Sequence, residues 1–183
     1  YGLAGCVSLH PLKTLSCLGD GGFVMTKDED LYNFLNVARN HGHINRDDVE
    51  FWSVNSRLDT FQAIVTISQF DWFISELKIR RRQACLYKNI LPNHLIPRQH
   101  YLSEHSYNWF VILVDDRENL QEFLAQREIE SKIHYPKLIN EMKPFMDRKS
   151  QKYEHLKSAK LFSMKILSVP IGSHLSDDIV TYI

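Results

Sequence analysis

The chain has 183 residues, 44% of them hydrophobic, with 22 basic and 22 acidic side chains. That apolar share suffices for a core in one domain or parts of two and rules out general disorder, while the balanced charge offers no nucleic-acid surface. No apolar run approaches a membrane span and the start has no signal-peptide pattern; the widely spaced, odd-numbered Cys6, Cys17 and Cys85 suit neither a disulfide framework nor a zinc site and point to a reducing, cytoplasmic setting.

In chain order, "GCVSLH" (5–10) and "GFVMT" (22–26) are short, apolar and bounded by Gly or polar residues, so each reads as a buried strand. "KDEDLYNFLNVARNHG" (27–42) reads as a helix, with acidic residues in its first turn and Gly42 as C-cap. "HINRDDVEFWSVNS" (43–56) is polar and irregular, a surface loop carrying two aromatics. From Arg57 to Leu91 there is no Pro or Gly, and apolar residues recur at helical spacing (Leu58, Phe61, Val65; Phe70, Phe73, Leu77), which predicts one long helix or two joined by a tight bend. Asn55 suits the N-cap of that helix, with Asp59 in its first turn. The basic cluster from Lys78 to Arg82 reads as a solvated helix face.

Pro92 and Pro97 interrupt the chain, and the pattern then changes. "YNWFVILV" (107–114) predicts a strand, "DRENLQEFLAQREI" (116–129) an amphipathic helix opened by Asp116, "ESKIHYP" (130–136) a second strand and "MKILSVPI" (164–171) a third, with helical character from Gln151 to Phe162. The division predicted is residues 1–91 as the end of a larger domain and 92–183 as a small α/β domain. The chain opens at Tyr1 with no initiator Met and closes on the apolar "DDIVTYI" within a helical pattern, so it reads as a piece of a longer protein.

Lys13 sits between an apolar approach (Val7, Leu9, Leu12), stiffened by Pro11, and the glycines Gly19, Gly21 and Gly22, which permit close backbone approach or positive φ. A lysine that attacks a carbonyl must be held rigidly and partly desolvated, and the end of a buried strand is such a place. Ser8, five residues earlier, offers a hydroxyl suited to a phosphate. A solvated lysine beside a Gly-rich turn, with Ser8 capping a strand end and Asp20 serving turn chemistry, fits the same residues.

The ordered blocks "SLHPLKTLSCLGDGG", "ARNHG", "NSRLDTFQAIV", "IHYP" and "LSVPI" resemble the pyridoxal-phosphate (PLP) sugar aminotransferases of the DegT/DnrJ/StrS family over nearly the whole chain. The resemblance implies an α/β fold, PLP-dependent transferase fold type I (aspartate aminotransferase-like), seen here as the end of its large domain plus the small C-terminal domain. It implies Lys13 as the catalytic lysine that bonds the cofactor as a Schiff base and then shuttles a proton, and Ser8 as a phosphate contact. Asn55 and Arg57 fall in the segment that reaches the neighbouring subunit's cofactor phosphate in relatives, which implies a homodimer. His134 and Tyr135 fall on the strand bordering the sugar-nucleotide pocket, and Asn40 and His41 are carried over with them on the substrate side. The implied reaction is transfer of an amino group from a donor such as glutamate to a nucleotide-linked keto-sugar. Family members that dehydrate sugars carry histidine at the lysine position, so Lys13 implies transamination. The Asp of "GDGG" leans toward the 3-amino branch.

The chain departs from the family pattern at Ser53, where the commonest form has Gly. In the family, the aromatic that stacks on the cofactor ring, the aspartate that pairs with its nitrogen and further phosphate contacts all precede the lysine. The alternative reading is therefore a truncated, inactive fragment or pseudo-enzyme that keeps structural and dimerisation surfaces.

Overall fold

The computed structural model describes residues 2–100, 103–146 and 156–183. They form two compact units, Tyr1–Ser75 and Glu76–Ile183, and the division falls inside a long helix.

In the first unit, β1 (Ala4–Ser8) pairs antiparallel with β2 (Gly22–Thr26), with Ala4 opposite Thr26 and Ser8 opposite Gly22. The strands fall where the apolar runs predict, but they are not buried: Phe23, Val24 and Met25 are exposed. A two-stranded ribbon cannot cover its own faces. Helix α1 (Glu29–Ala38) is opened by Asp28, whose carboxylate accepts the Leu31 N–H at 2.7 Å, with Glu29 and Asp30 in its first turn. Its C-cap is Arg39, and the left-handed turn beyond begins at His41 (φ 60°), one residue before Gly42 (φ 80°), whose N–H returns to the Val37 carbonyl at 3.0 Å. A Cβ on Gly42 would lie 1.7 Å from the Phe51 carbonyl oxygen, so the following loop requires glycine there.

The Pro- and Gly-free stretch makes two helices, α2 (Thr60–Ser68) and α3 (Phe70–Ile90), joined at Gln69. The N-cap of α2 is Asp59, not Asn55, because the chain at Asn55 is extended in an antiparallel bridge with Asn40.

In the second unit, β3 (Phe110–Leu113) is followed by α4 (Arg117–Ala125), the short α5 (Lys143–Met146), α6 (Lys157–Lys165), β4 (Ile166–Val169) and α7 (Asp177–Tyr182), which Ser176 caps. β4 pairs antiparallel with β3, Phe110 opposite Val169. The core gathers Ala84, Tyr87, Phe110, Leu124, Leu167 and Val180, with the Tyr87 and Phe110 rings stacked at 4.7 Å. The strand predicted at 130–136 is reduced to one bridge, in which Lys132 and Ser168 exchange N–H···O bonds of 3.0 and 2.7 Å. Pro136 has no N–H with which to extend it. Of the helical segment predicted from Gln151, residues 151–155 lie outside the described residues; α6 then runs three residues past Phe162.

One stripe of α3 is polar and buried. Glu76, 1% exposed, accepts from Arg80 Nε at 2.6 Å and from the Ser173 N–H at 3.2 Å, while Arg80 Nη1 donates to the Tyr107 and Asn108 carbonyls. Gln83 donates to the Gly172 and Leu175 carbonyls and accepts the Gly172 N–H at 2.8 Å. Tyr87 donates to the Pro170 carbonyl. The basic cluster is thus not a uniformly solvated face, since Arg80 turns inward to a buried carboxylate.

Candidate functional site

The turn that carries Lys13 is closed on both sides by main-chain bonds. The Leu9 N–H donates to the Gly21 carbonyl and the Cys17 N–H to the Leu9 carbonyl, each at 2.9 Å, and the Lys13 N–H donates to His10 O at 2.8 Å. Leu9 (1% exposed) and Cys17 are buried beneath it, and the Cys17 thiol donates to the Leu9 and Gly19 carbonyls. The glycines serve close approach rather than positive φ: a Cβ on Gly21 would stand 2.7 Å from Cys17 Sγ and 2.9 Å from Leu58 Cδ1, and one on Gly22 would stand 2.8 Å from the Val7 carbonyl oxygen.

Lys13 itself is exposed, as are Pro11 and Leu12, the latter 72%. Main-chain bonds tie the turn that carries this lysine, and its side chain is exposed rather than desolvated. Residues 10–13 are all exposed, while Leu9 and Cys17 on either side are buried. Ser8 Oγ accepts the His10 N–H at 3.3 Å, which leaves its own proton to donate.

Asn40, Asn55 and Arg57 come together. Ladder bonds tie the end of α1 to the segment before α2: the Ser56 N–H to the Arg39 carbonyl at 2.8 Å and the His41 N–H to the Val54 carbonyl at 3.0 Å. Across this bridge Arg57 Nε donates to Asn55 Oδ1 at 3.0 Å and Nη1 to Asn40 Oδ1 at 3.1 Å. Ser53, the departure from the family pattern, donates its hydroxyl to the Ala38 carbonyl at 2.6 Å and so fastens the loop to α1. Trp52 beside it is 99% exposed, while Phe51 stacks on Phe34 at 5.2 Å. His41 stands at the left-handed position with its ring 6.1 Å from that of His43.

In the second unit, His134 Nδ1 lies 3.0 Å from the hydroxyl of the buried Ser168, and its ring stacks on Trp109 at 4.7 Å. Tyr135 is exposed and meets His134 edge-on at 5.5 Å. Burial pushes the Glu76 carboxyl up, but the Ser173 hydrogen bond and the Arg80 charge prevail and hold it below its ordinary value. Burial pushes the Tyr87 phenol up.

Gln62, Leu58 and Trp109 contribute to the site although the sequence assigns them no part in it. Gln62 Oε1 accepts the Leu18 N–H at 2.8 Å and Leu58 packs under Gly21, so the "RLDTFQA" block braces the lysine turn. Trp109 orients His134. The signal for Gln62 was its place in a quoted motif; for Trp109 there was none. Among the described residues no group of His, Cys, Asp or Glu can hold a metal, and no helix is long and apolar enough to cross a membrane.

The DegT/DnrJ/EryC1/StrS aminotransferase family model matches residues 1–183. The chain is 29% identical over 93% of its length to the UDP-2-acetamido-2-deoxy-3-oxo-D-glucuronate aminotransferase of Pseudomonas aeruginosa, covering 47% of that protein. It is 30% identical over 97% of its length to the UDP-N-acetyl-3-dehydro-alpha-D-glucosamine 3-aminotransferase of Acidithiobacillus ferrooxidans, covering 48% of it. The crystal structure of S. venezuelae DesV in complex with a ketimine intermediate superposes with a TM-score of 0.87 at 28% identity, over 98% of this chain and 51% of that one. The chain spans about half the length of the relatives it matches.

Proposed function

The chain belongs to the DegT/DnrJ/EryC1/StrS aminotransferase family, with the fold of a PLP type I transferase, and on that premise we propose that the complete protein moves an amino group from an amino acid, glutamate by preference, onto a nucleotide-linked keto-sugar. The observation that carries this reading is the braced turn that presents an exposed Lys13 amine five residues after the Ser8 hydroxyl. The names of the two curated relatives, acting on 3-oxo and 3-dehydro sugars, support amination at the 3-position, as Asp20 in the "GDGG" turn suggests.

PLP suits these residues: an accessible primary amine matches its carbonyl, and a hydroxyl with its proton to donate matches its phosphate. When bound, PLP supplies the electron-withdrawing ring that acidifies the carbon bearing the nitrogen. Lys13 Nζ holds the cofactor, then acts as the base that takes the proton from the donor's Cα and delivers it onward. Ser8 Oγ and the Asn55–Arg57 pair fix the phosphate end, the latter on a neighbouring subunit's cofactor in a homodimer. His134, steadied by Ser168 and Trp109, borders the sugar nucleotide with Tyr135, and Asn40 and His41 belong to the substrate side. Residues 1–91 then close the large domain and 92–183 make the small one. The free cysteines suit a cytoplasmic enzyme of amino-sugar synthesis.

Borohydride reduction of the complete protein with PLP, followed by peptide mapping, tests the assignment. Pyridoxyl is expected on Lys13, and label confined to other lysines overturns it.

A further inference from the structure

The "ARNHG" and "NSR" blocks form one device. Asn40 and Asn55 lie on opposite strands of a bridge, and each carboxamide oxygen accepts from a different nitrogen of the same guanidinium, Nη1 at 3.1 Å and Nε at 3.0 Å. Arg57 is otherwise exposed, and a free arginine at the surface samples many rotamers. Two acceptors on different nitrogens fix the plane of the fork. Among the described residues Nη2 makes no hydrogen bond, so the donors on that side are left for a ligand.

Neither asparagine carries charge, so the guanidinium stays a full cation. The usual way to hold an arginine is a carboxylate, which would cancel the field an anion needs. A cation held by neutral acceptors is suited to an anionic ligand, and a fixed planar guanidinium that keeps both Nη2 donors matches a phosphate.

We propose that Asn40 is a positioning residue for Arg57, which receives a phosphate group, rather than a residue that touches the substrate itself. This rests on the family reading, which puts Arg57 near an active site, and it changes the role of Asn40 within it. The proposed function gives that phosphate to the cofactor, and the phosphate of the sugar nucleotide is the other source of the same chemistry.

The test is a double-mutant cycle in the complete protein with Asn40→Ala, Arg57→Ala and the pair. Each variant is titrated with PLP by absorbance, and KM and kcat are measured for the sugar nucleotide. Arg57→Ala is expected to weaken one of the two constants about 50-fold, and which one moves tells the cofactor phosphate from the nucleotide phosphate. Asn40→Ala should weaken that same constant about tenfold while Arg57 is present, and should add nothing once Arg57 is gone. If Asn40→Ala costs the same factor in both backgrounds, or nothing in either, the positioning role is wrong while the placement of Arg57 stands. An Arg57→Ala variant that alters neither constant overturns the placement itself and the proposal with it. Should Asn40→Ala fail to fold, Asn40→Asp replaces it: it keeps the acceptor but neutralises the cation, and its loss of affinity must likewise vanish without Arg57.

Discussion

Gln62 Oε1 accepts the Leu18 N–H at 2.8 Å, so the first turn of α2 holds the backbone five residues after Lys13. Beside this contact the Leu58 side chain, just before α2, packs against Gly21, and the Gln62 amide lies against Gly19. Catalysis by a tethered amine depends on where the tether is fixed, and a displacement of about 1 Å can cost a hundredfold.

Gln62→Ala is therefore expected to lower stability by about 1 kcal/mol, and to slow borohydride-trapped pyridoxyl incorporation at Lys13 more than that loss explains. Gln62→Glu keeps the acceptor and should trap at close to the parental rate. Thermal unfolding and timed peptide mapping give both numbers; equal trapping by Gln62→Ala and the parent would show that the brace is idle.

Gly42→Ala should be among the costliest single changes in the loop. Its φ of 80° disfavours any L side chain, and the new Cβ would fall 1.7 Å from the Phe51 oxygen. A loss of about 3 kcal/mol, read from denaturant midpoints, is expected. A shift below about 0.5 kcal/mol would mean that the 43–55 loop does not fold over α1 as described.

Glu76 makes stability depend on acid. Its carboxyl is held below the ordinary 4.5 in the folded protein, so on acidification the unfolded chain takes up the proton first. The stabilisation is fully present above pH 4.5 and drains away as pH falls from there through the folded value. Glu76→Gln should cost about 3 kcal/mol at neutral pH, since it leaves the partly buried Arg80 without its counter-charge, and should flatten stability below pH 4.5. Urea unfolding at pH 7 and at several values below 4.5 checks both parts; an unchanged acid slope would assign the pH dependence to other carboxylates.

The chain 1–183 alone, supplied with PLP and glutamate, is expected not to convert the cofactor to its amine form. It spans about half of its relatives, and its Lys13 amine is exposed rather than enclosed. Loss of a single placed electrostatic partner costs on the order of a hundredfold in rate. Conversion at the rate of the complete protein, abolished by Lys13→Ala, would show that these residues suffice.

Much of this was legible because local chemistry decided it. Asp28 and Ser176 cap the helices they precede, and the apolar runs at 5–10, 22–26 and 107–114 hold the strands Ala4–Ser8, Gly22–Thr26 and Phe110–Leu113. Burial was less legible, because an apolar strand records that something covers it without recording what, and β2 is exposed here. The 130–136 strand failed for a related reason: alternation measures which side chains face inward, but a ladder also needs a partner and N–H groups to spend on it. Within the site, Lys13 and Ser8 were readable from one contiguous block. The clamp of Asn40 and Asn55 on Arg57 was not, since it joins residues fifteen and seventeen positions apart through a bridge that no periodicity announces.

The loop from Pro170 to Leu175 has no regular secondary structure, yet α3 holds it by the side chains of Glu76, Gln83 and Tyr87. In hydrogen exchange it should behave as interior. The Gly172 amide, donated to a carboxamide that is wholly buried, has no route to solvent short of pulling Gln83 out of the core, so its proton should exchange with the slowest helical amides of the unit rather than with the loops. A segment without helix or strand is thus as slow to open as the framework, and the exchange map of this half of the chain would be drawn by three side chains of one helix.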